Sequence, residues 1–201
     1  SYGSIPATQT EGDMAPLLQP ADCSVLVVDP RRQHLRHLND VEQRQVTERF
    51  GLLANAMRIG AIPCRLVFAR STPDAADWLV DVDRICRPEV HVMGSPGPSW
   101  SGSGVATALA AQDRSSLILC GFWLETTVTF LALPALASGF DVFIATDVAP
   151  ARSEDVGRPA MDRLLHAGAV PSTTLQLVAE WIEASTDPEQ HSALSALVPN
   201  D

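Results

Sequence analysis

The sequence lacks both a long apolar segment and an excess of basic residues. Its longest apolar stretches, residues 117–124 and 128–137, are well short of the roughly 20 residues that a membrane-spanning helix needs. The formal net charge is −10, whereas nucleic acids and anionic membranes are bound by surfaces rich in Lys and Arg. We therefore expect neither a nucleic acid nor a membrane to be the partner of this chain.

Cysteine is scarce and shows no paired spacing. The four cysteines are Cys23, Cys64, Cys86 and Cys120, and no two of them form a C-x-x-C motif. Three lie in or beside apolar runs, which is typical of small buried side chains in a reducing compartment. The first residues also lack the basic segment and apolar core of a signal peptide. The sequence therefore predicts a cytoplasmic protein without a disulfide framework.

Motifs that would indicate a cofactor are missing as well. The chain has no G-x-G-x-x-G sequence, no Walker loop and no H-x-E or H-E-x-x-H pattern. The spacing of the five histidines is not that of metal ligands, so each is expected to be structural or exposed. We predict neither a metal ion nor another cofactor.

The sequence does contain the regular alternation of an α/β domain. Hydrophobic residues make up 46% of its 201 residues and charged residues 19%, which is enough apolar material for a sizeable core. Short apolar runs have the length and composition of buried parallel strands, and they occupy residues 23–29, 64–69, 90–93, 116–121 and 141–147. Residues 173–178 are a sixth candidate strand.

Predicted helices separate these strands. One begins at a capping box formed by Asn39 and Glu42 and ends at Gly60. Two more are predicted at residues 125–138 and near 158–167. The alternation predicts a three-layer α/β/α architecture around a mostly parallel, doubly wound sheet.

The domain organisation follows from composition at the two ends. Residues 1–20 are expected to form an irregular arm that packs on a neighbouring subunit, residues 21–184 a single domain, and residues 185–201 a polar, loosely held tail. In sheets of this type ligands bind at the carboxyl ends of the strands. That rule selects Asp29, Arg70, the Gly- and Pro-rich loop 94–104, residues 121–127 and Asp147.

The stretch GFWLETTVTFLALPALASGFDVFIATDVAP, beginning at Gly121, is followed by PAMDRLLHAGAV and closely resembles the isochorismatase-like cysteine hydrolases. The run VLVVD is similar to the family's first strand and ends in Asp29, which matches its catalytic Asp. The resemblance covers about residues 23–181. It implies hydrolase-type chemistry on a small organic molecule and assembly into homo-oligomers.

The family's catalytic triad consists of an Asp, a Lys and a Cys. The resemblance places Asp29 at the Asp, Thr127 where the family has its Cys, and Ser95 nearest to the Lys, in a segment (MGSPGPSWSG) without a basic residue. A threonine hydroxyl is much harder to deprotonate than a thiol. We therefore predict a degenerate triad that lacks two of its three members. True isochorismatases also lack the Cys and use the Asp to protonate a vinyl ether, but they retain the Lys.

The remaining candidates each have a functional and a structural interpretation. Asp29 is expected to be a general acid or base whose pKa is raised by burial, or else a cap for a neighbouring helix or loop. Thr127 is interpreted as a nucleophile, or as a hydroxyl that lines the pocket or caps the following helix. Arg31 and Arg70 either replace the missing cation and bind an anionic substrate, or are solvated surface residues.

Phe122 and Trp123 occupy the place where the family has a strained cis peptide bond next to its oxyanion hole. The resemblance therefore implies a cis bond between them. Together with Trp100 on the 94–104 loop, their size favours a flat or aromatic ligand, and the alternative is simple core packing.

Three functions remain open on this basis. The leading hypothesis is an enzyme that uses Asp29 for general acid/base chemistry on a small organic molecule without a covalent intermediate, through ether or enol-ether cleavage or proton-transfer isomerisation or cyclisation. The alternative is a non-catalytic member that binds a small molecule or a partner protein. The third is an amide hydrolase with Thr127 as its nucleophile.

Overall fold

The structure is a computed structural model that describes residues 17–69, 74–79, 89–92 and 100–198. Three of the residues considered above, Arg70, Cys86 and Ser95, lie outside the described residues, as do residues 1–16 of the predicted arm.

The centre of the fold is a six-stranded sheet in which every pair of neighbouring strands is parallel. The strands are β1 (Cys23–Val28), β2 (Cys64–Phe68), β3 (Glu89–Val92), β4 (Ser116–Gly121), β5 (Asp141–Ala145) and β6 (Val170–Ser172). Their order is β3-β2-β1-β4-β5-β6, so the direction in which the chain fills the sheet reverses between β1 and β4. Ligands of open α/β sheets bind at that reversal point.

Helices cover both faces of the sheet and confirm the predicted three-layer α/β/α class. They are α1 (Arg32–Leu35), α2 (Asp40–Ile59), α3 (Val105–Ala110), α4 (Thr129–Ala137), α5 (Glu154–His166), α6 (Thr174–Ala184) and α7 (Pro188–Ser195). One core cluster lies under α2, α6 and α7 and includes Phe50 and Trp181. A second lies under α3, α4 and α5 and includes Leu131 and Leu164.

The predicted capping of α2 is confirmed. The Asn39 side chain accepts hydrogen bonds from the backbone N–H groups of Val41 and Glu42 at 3.0 Å, and the Glu42 carboxylate accepts one from the Asn39 N–H at 2.9 Å. Gly60 ends the helix as expected. This reciprocal cap sets the start of α2 at Asp40, so the segment that follows β1 ends at Asn39.

A glycine lets β1 and β4 approach each other closely where both strands end. Gly121 has a φ of +113°, and a Cβ atom there would lie 2.0 Å from the carbonyl oxygen of Val28. The next residue, Phe122, donates its N–H to the same oxygen at 2.8 Å. The chain leaving β4 is therefore held directly beside the end of β1.

The predicted strand at residues 173–178 is wrong, because the segment is the first half of α6. Thr173 is the N-cap, and its hydroxyl accepts a hydrogen bond from the N–H of Gln176 at 3.2 Å. Leu177, Val178 and Trp181 then fall on one buried helical face. The sixth strand is β6, which ends at Ser172.

The C-terminal segment is not the loosely held tail that composition predicts. Asp187 caps α7 by accepting a hydrogen bond from the N–H of Glu189 at 3.0 Å, and Pro188 occupies the first helical position. Leu194 is fully buried in the core cluster under α2 and α6. Helix α3, which begins at Val105, was not predicted from the sequence.

Candidate active site at the end of strand β1

Asp29 follows β1 directly and has an unusual backbone conformation. Its φ of 43° lies in the left-handed region, which non-glycine residues seldom occupy outside turns and functional sites. Its N–H donates to the carbonyl of Val67 at 2.7 Å, and its own carbonyl accepts from the N–H of Arg31 at 2.7 Å. These bonds turn the chain sharply at the carboxyl edge of the sheet while Asp29 stays 7% exposed.

Two side chains bind the Asp29 carboxylate, one at each oxygen. Arg31 Nε lies 2.7 Å from Oδ1, and His34 Nε2 lies 2.8 Å from Oδ2. Both partners are largely buried, with side-chain exposures of 16% and 14%. Because α1 begins at Arg32, the chain folds back after β1 and brings His34 to an aspartate five residues earlier.

The pKa of Asp29 is lower than its ordinary value, although burial by itself raises it. Burial is the largest influence, but hydrogen bonds from His34 and Arg31, together with their positive charges, outweigh it. The expectation that burial leaves the pKa of Asp29 raised overall is therefore wrong. At neutral pH the group is a carboxylate.

The Phe122–Trp123 peptide bond is cis, as the resemblance implied. The Phe122 ring stacks on His34 with 5.2 Å between centroids, and the Trp123 ring meets the edge of His34 at 5.5 Å and of His37 at 5.9 Å. Both aromatic side chains are almost fully buried. Both rings pack in the core. They also hold the His34 side chain, which binds Asp29, in place.

A second ion pair lies behind Trp123. The Arg152 guanidinium is 5.0 Å from the centre of the Trp123 ring, and its Nη1 donates to Glu125 Oε1 at 2.7 Å. The other oxygen, Glu125 Oε2, is buried and has no hydrogen-bond partner within the described ranges. The ion pair thus holds the Arg152 guanidinium against the Trp123 ring.

Thr127 lies in the turn of π-helix Leu124–Val128 that leads into α4. Its side chain is half-buried. Among the described residues none forms a hydrogen bond to its hydroxyl. The described part of the site therefore contains no base hydrogen-bonded to Thr127. That Thr127 lines the pocket stays a prediction.

Trp100 is located away from Asp29. Its ring packs edge-on against Phe140 at 6.2 Å. Phe140 immediately precedes β5, at the amino edge of the sheet, whereas Asp29 lies at the carboxyl edge. The structure thus does not bring Trp100 together with Phe122 and Trp123.

Two cavities open near the carboxyl edge. The smaller, of about 330 Å³, adjoins Asp29 through Arg31 and is lined by Arg31, Arg32, Gln33, Arg36 and Asp77. The larger, of about 1000 Å³, lies beyond Trp123 between α2, α5 and α6, and Arg152 and Asp147 are among its lining residues. Asp29 itself lines neither of them.

The described residues include no group of three or more His, Cys, Asp or Glu side chains arranged to hold a metal ion. In the same ranges, none of the helices is both long and apolar enough to cross a bilayer.

Comparison with known proteins assigns the chain to a family. The sequence profile of the isochorismatase domain matches residues 23–176. The chain belongs to the isochorismatase-like hydrolases.

Relatives within this family share most of the chain. The probable hydrolase YcaC of Escherichia coli strain K12 is 28% identical over 161 residues, which are 79% of this chain and 77% of that protein. The 1.8 Å crystal structure of the E. coli YcaC gene product, an octameric hydrolase of unknown specificity, has a TM-score of 0.77 at 25% identity and covers 90% of this chain and 88% of that one. YcaC from Pseudomonas aeruginosa, with hexane-2,5-diol and covalent acrylamide, has a TM-score of 0.73 at 22% identity and 92% coverage of both chains.

The structure brings together four of the residues that the sequence selected as candidates, Asp29, Arg31, Phe122 and Trp123. They surround His34, which was not among those candidates. His34 was missed because nothing in a spacing of five residues predicts a contact across an irregular turn. The one indication in the sequence was the capping box at Asn39. It fixes the start of α2 and so limits the length of the segment between β1 and α2, which contains His34.

Proposed function

We propose that this isochorismatase-family chain is a cofactor-free enzyme that transfers protons on a small organic molecule at Asp29, without a covalent enzyme intermediate. The observation that carries the proposal is the Asp29 carboxylate itself, buried in a strained backbone conformation and bound by Arg31 and His34 at 2.7 and 2.8 Å. Strained, charged and buried groups of this kind are concentrated at active sites.

The lowered pKa of Asp29 favours one of the open reactions. Protonation of an enol ether needs a carboxylic acid, whereas Asp29 is held ionised. Abstraction of a proton next to a carbonyl needs a base, and each carboxylate oxygen can accept a further hydrogen bond beside the one it has. Isomerisation or cyclisation by proton transfer therefore fits Asp29 better than ether cleavage does.

His34 complements Asp29 as the second group able to move a proton. An imidazole that donates a hydrogen bond from one ring N–H to a carboxylate is fixed in orientation. Its other ring nitrogen is then available to the substrate. Stacking on Phe122 at 5.2 Å fixes the ring plane as well. The pair supplies a base and a proton carrier without a nucleophile.

The hypothesis of an amide hydrolase with Thr127 as nucleophile has less support. A threonine nucleophile needs an adjacent amine or other base, and no described residue is hydrogen-bonded to its hydroxyl. The Lys and Cys of the family triad have no counterpart at Ser95 and Thr127 in the alignment that the resemblance implies.

A non-catalytic binding protein is the second candidate. One observation favours it, because Arg31 and His34 already occupy both oxygens of Asp29, and Phe122 and Trp123 pack closely against His34. In that case Asp29 would only hold the loop that follows β1.

Proton exchange with solvent tests the proposal without a known substrate. The protein is incubated in D₂O with a metabolite extract, and deuterium uptake is measured by mass spectrometry for the wild type, Asp29→Asn and Thr127→Val. We expect uptake into one compound, a loss of about 10²–10⁴-fold in Asp29→Asn, and near-wild-type rates in Thr127→Val. Turnover that depends on Thr127 and not on Asp29 would contradict the proposal, and saturable binding without turnover would favour the second candidate.

We also infer a homo-oligomeric, cytoplasmic protein that binds neither nucleic acid nor membrane. The E. coli YcaC structure is octameric, and the net charge of −10 disfavours binding to polyanions. The cysteines in the described ranges, Cys23, Cys64 and Cys120, are buried free thiols, which supports a reducing compartment.

A further inference from the structure

We propose that the 330 Å³ cavity next to Asp29 binds a small organic anion through its carboxylate or phosphate group. This inference names the substrate class of the proposed active site and rests on the function proposed above.

The cavity concentrates positive charge in an acidic protein. Three arginines (Arg31, Arg32 and Arg36) line it beside the neutral Gln33, and Asp77 is the one carboxylate among the described residues that line it. The chain has no lysine, so all 14 of its basic residues are arginines, and three of them meet here. Because the chain as a whole carries a net charge of −10, such a local cluster of arginines is the kind of place where an anion can bind.

Two of the arginines have no side-chain partner among the described residues. Arg32 and Arg36 form no ion pair or side-chain hydrogen bond with any residue in the described ranges, whereas Arg152 and Arg158 each bind a glutamate at 2.7 and 2.6 Å. A guanidinium presents a planar fork of N–H donors that matches the two oxygens of a carboxylate or phosphate. The cavity therefore offers donors that an oxyanion would satisfy.

Backbone contacts hold the cavity in shape before any ligand enters. The N–H of Leu79 donates to the carbonyl of Pro30 at 2.6 Å, and Arg31 pairs with Trp78 in an isolated antiparallel bridge. These contacts place the turn that carries Asp77 against the chain leaving β1. A preformed site avoids the entropy cost of ordering loops on binding.

Arg31 links the cavity to Asp29. Its Nε bonds to Oδ1 of Asp29 at 2.7 Å, its guanidinium lies 5.4 Å from the centre of the Phe68 ring, and its side chain lines the cavity. An anionic group bound by Arg32 and Arg36 would therefore leave the rest of the molecule next to the proposed base. A volume of about 330 Å³ is at the lower end for ligand sites and suits a small metabolite.

Calorimetric titration at low ionic strength tests this inference with three probes of similar shape, namely benzoate, phenyl phosphate and neutral benzamide. We expect saturable binding of at least one anion and none of benzamide. The tighter anion identifies whether a carboxylate or a phosphate is preferred. In Arg32→Gln/Arg36→Gln the affinity should fall by about 10-fold or more, and raised salt should weaken binding in the wild type.

Arg58→Gln is the matched control, because Arg58 is also exposed and lines neither cavity. It should leave anion binding unchanged. Equal affinity for benzamide and benzoate, unchanged binding in the double variant, or no binding of either anion would each overturn the inference.

Asp29→Asn separates this inference from the proposed function. Anion binding should persist in that variant while turnover is lost. If a neutral compound were turned over through Asp29 and no anion bound, the cavity inference would fail and the function would stand. If the anions bound through Arg32 and Arg36 and all turnover were independent of Asp29, the function would fail and the cavity inference would stand.

Discussion

At the scale of single residues, the chemistry of Asp29 is decided by the two side chains that bind it. Burial in an apolar edge of the sheet would keep the group protonated, as in a general acid. Hydrogen bonds from His34 and Arg31 reverse that preference and hold the pKa below its ordinary value of 3.8. Asp29 is thereby ionised at neutral pH, which is the state in which a carboxylate can accept a proton.

The same shift predicts a dependence of stability on pH. The folded state lowers the pKa of Asp29. The resulting stabilisation is therefore fully present at pH values above the pKa of Asp29 in the unfolded chain, and it is lost as the pH falls through the pKa in the folded protein. Urea unfolding between pH 6 and pH 3 should show a steeper loss of unfolding free energy in the wild type than in Asp29→Asn. Asp162→Asn, at an exposed carboxylate on α5, should keep the wild-type slope. Equal slopes in the wild type and Asp29→Asn would show that Arg31 and His34 do not stabilise the ionised form.

The sequence predicted the position of Asp29 and not its protonation state, for a physical reason. A carboxylate directly after a buried strand is placed by the periodicity of the strand alone. Its pKa depends on contacts made across a turn, and the turn that brings His34 to 2.8 Å has no repeating pattern. Arg31, two residues away, was the one partner that local spacing indicated.

At the scale of secondary-structure elements, the site depends on how closely β4 approaches β1. Gly121→Ala would put a Cβ atom 2.0 Å from the Val28 carbonyl at a φ of +113°. We expect a loss of about 2–5 kcal/mol in unfolding free energy, from backbone displacement together with left-handed strain.

Gly139→Ala is the matched control for this prediction. Gly139 also has a positive φ, of +89°, but a Cβ atom there would meet nothing within 4 Å. Its cost should be the strain alone, about 1–2 kcal/mol. Chemical denaturation of both variants measures the difference, and equal losses would mean that the β1–β4 approach does not limit the structure.

Two segments were predicted wrongly because their overall composition indicated a different structure from the one that their helix-capping residues start. Residues 173–178 are rich in β-branched and apolar side chains, which predicts a strand, but Thr173 caps a helix and tertiary burial of Trp181 stabilises it. Asp187 and Pro188 form a helix start that the polar composition of the tail concealed. The strands β1, β2, β4 and β5 were predicted correctly because burial on both faces makes each of them apolar over almost its whole length.

At the scale of the whole molecule, the order of the strands places the proposed chemistry. The direction in which the chain fills the sheet reverses between β1 and β4. The side chains around Asp29, including those of Phe122 and Trp123, come from the segments that leave these two strands. The arginine cavity lies on the β2 side of this point, since Asp77 is in the connection that follows β2. The larger cavity lies on the β5 side. Substrate held by the arginines would therefore reach Asp29 from the half of the sheet that contains β2.

Self-association is the last prediction, and it concerns the outer face of α4. Phe130 is 45% exposed, and Leu133, Pro134 and Ala137 follow it at helical spacing without any charged side chain in the helix. Exposed apolar faces of this kind mark contacts between proteins, and the octameric YcaC relative favours a second copy of the chain as the partner. Light scattering at micromolar concentration should give a multi-subunit mass for the wild type and a smaller mass for Phe130→Asp. Val41→Asp, at a position 52% exposed on α2, should leave the mass unchanged. A monomeric wild type, or a Phe130→Asp variant of unaltered mass and normal circular dichroism, would show that α4 does not form the contact.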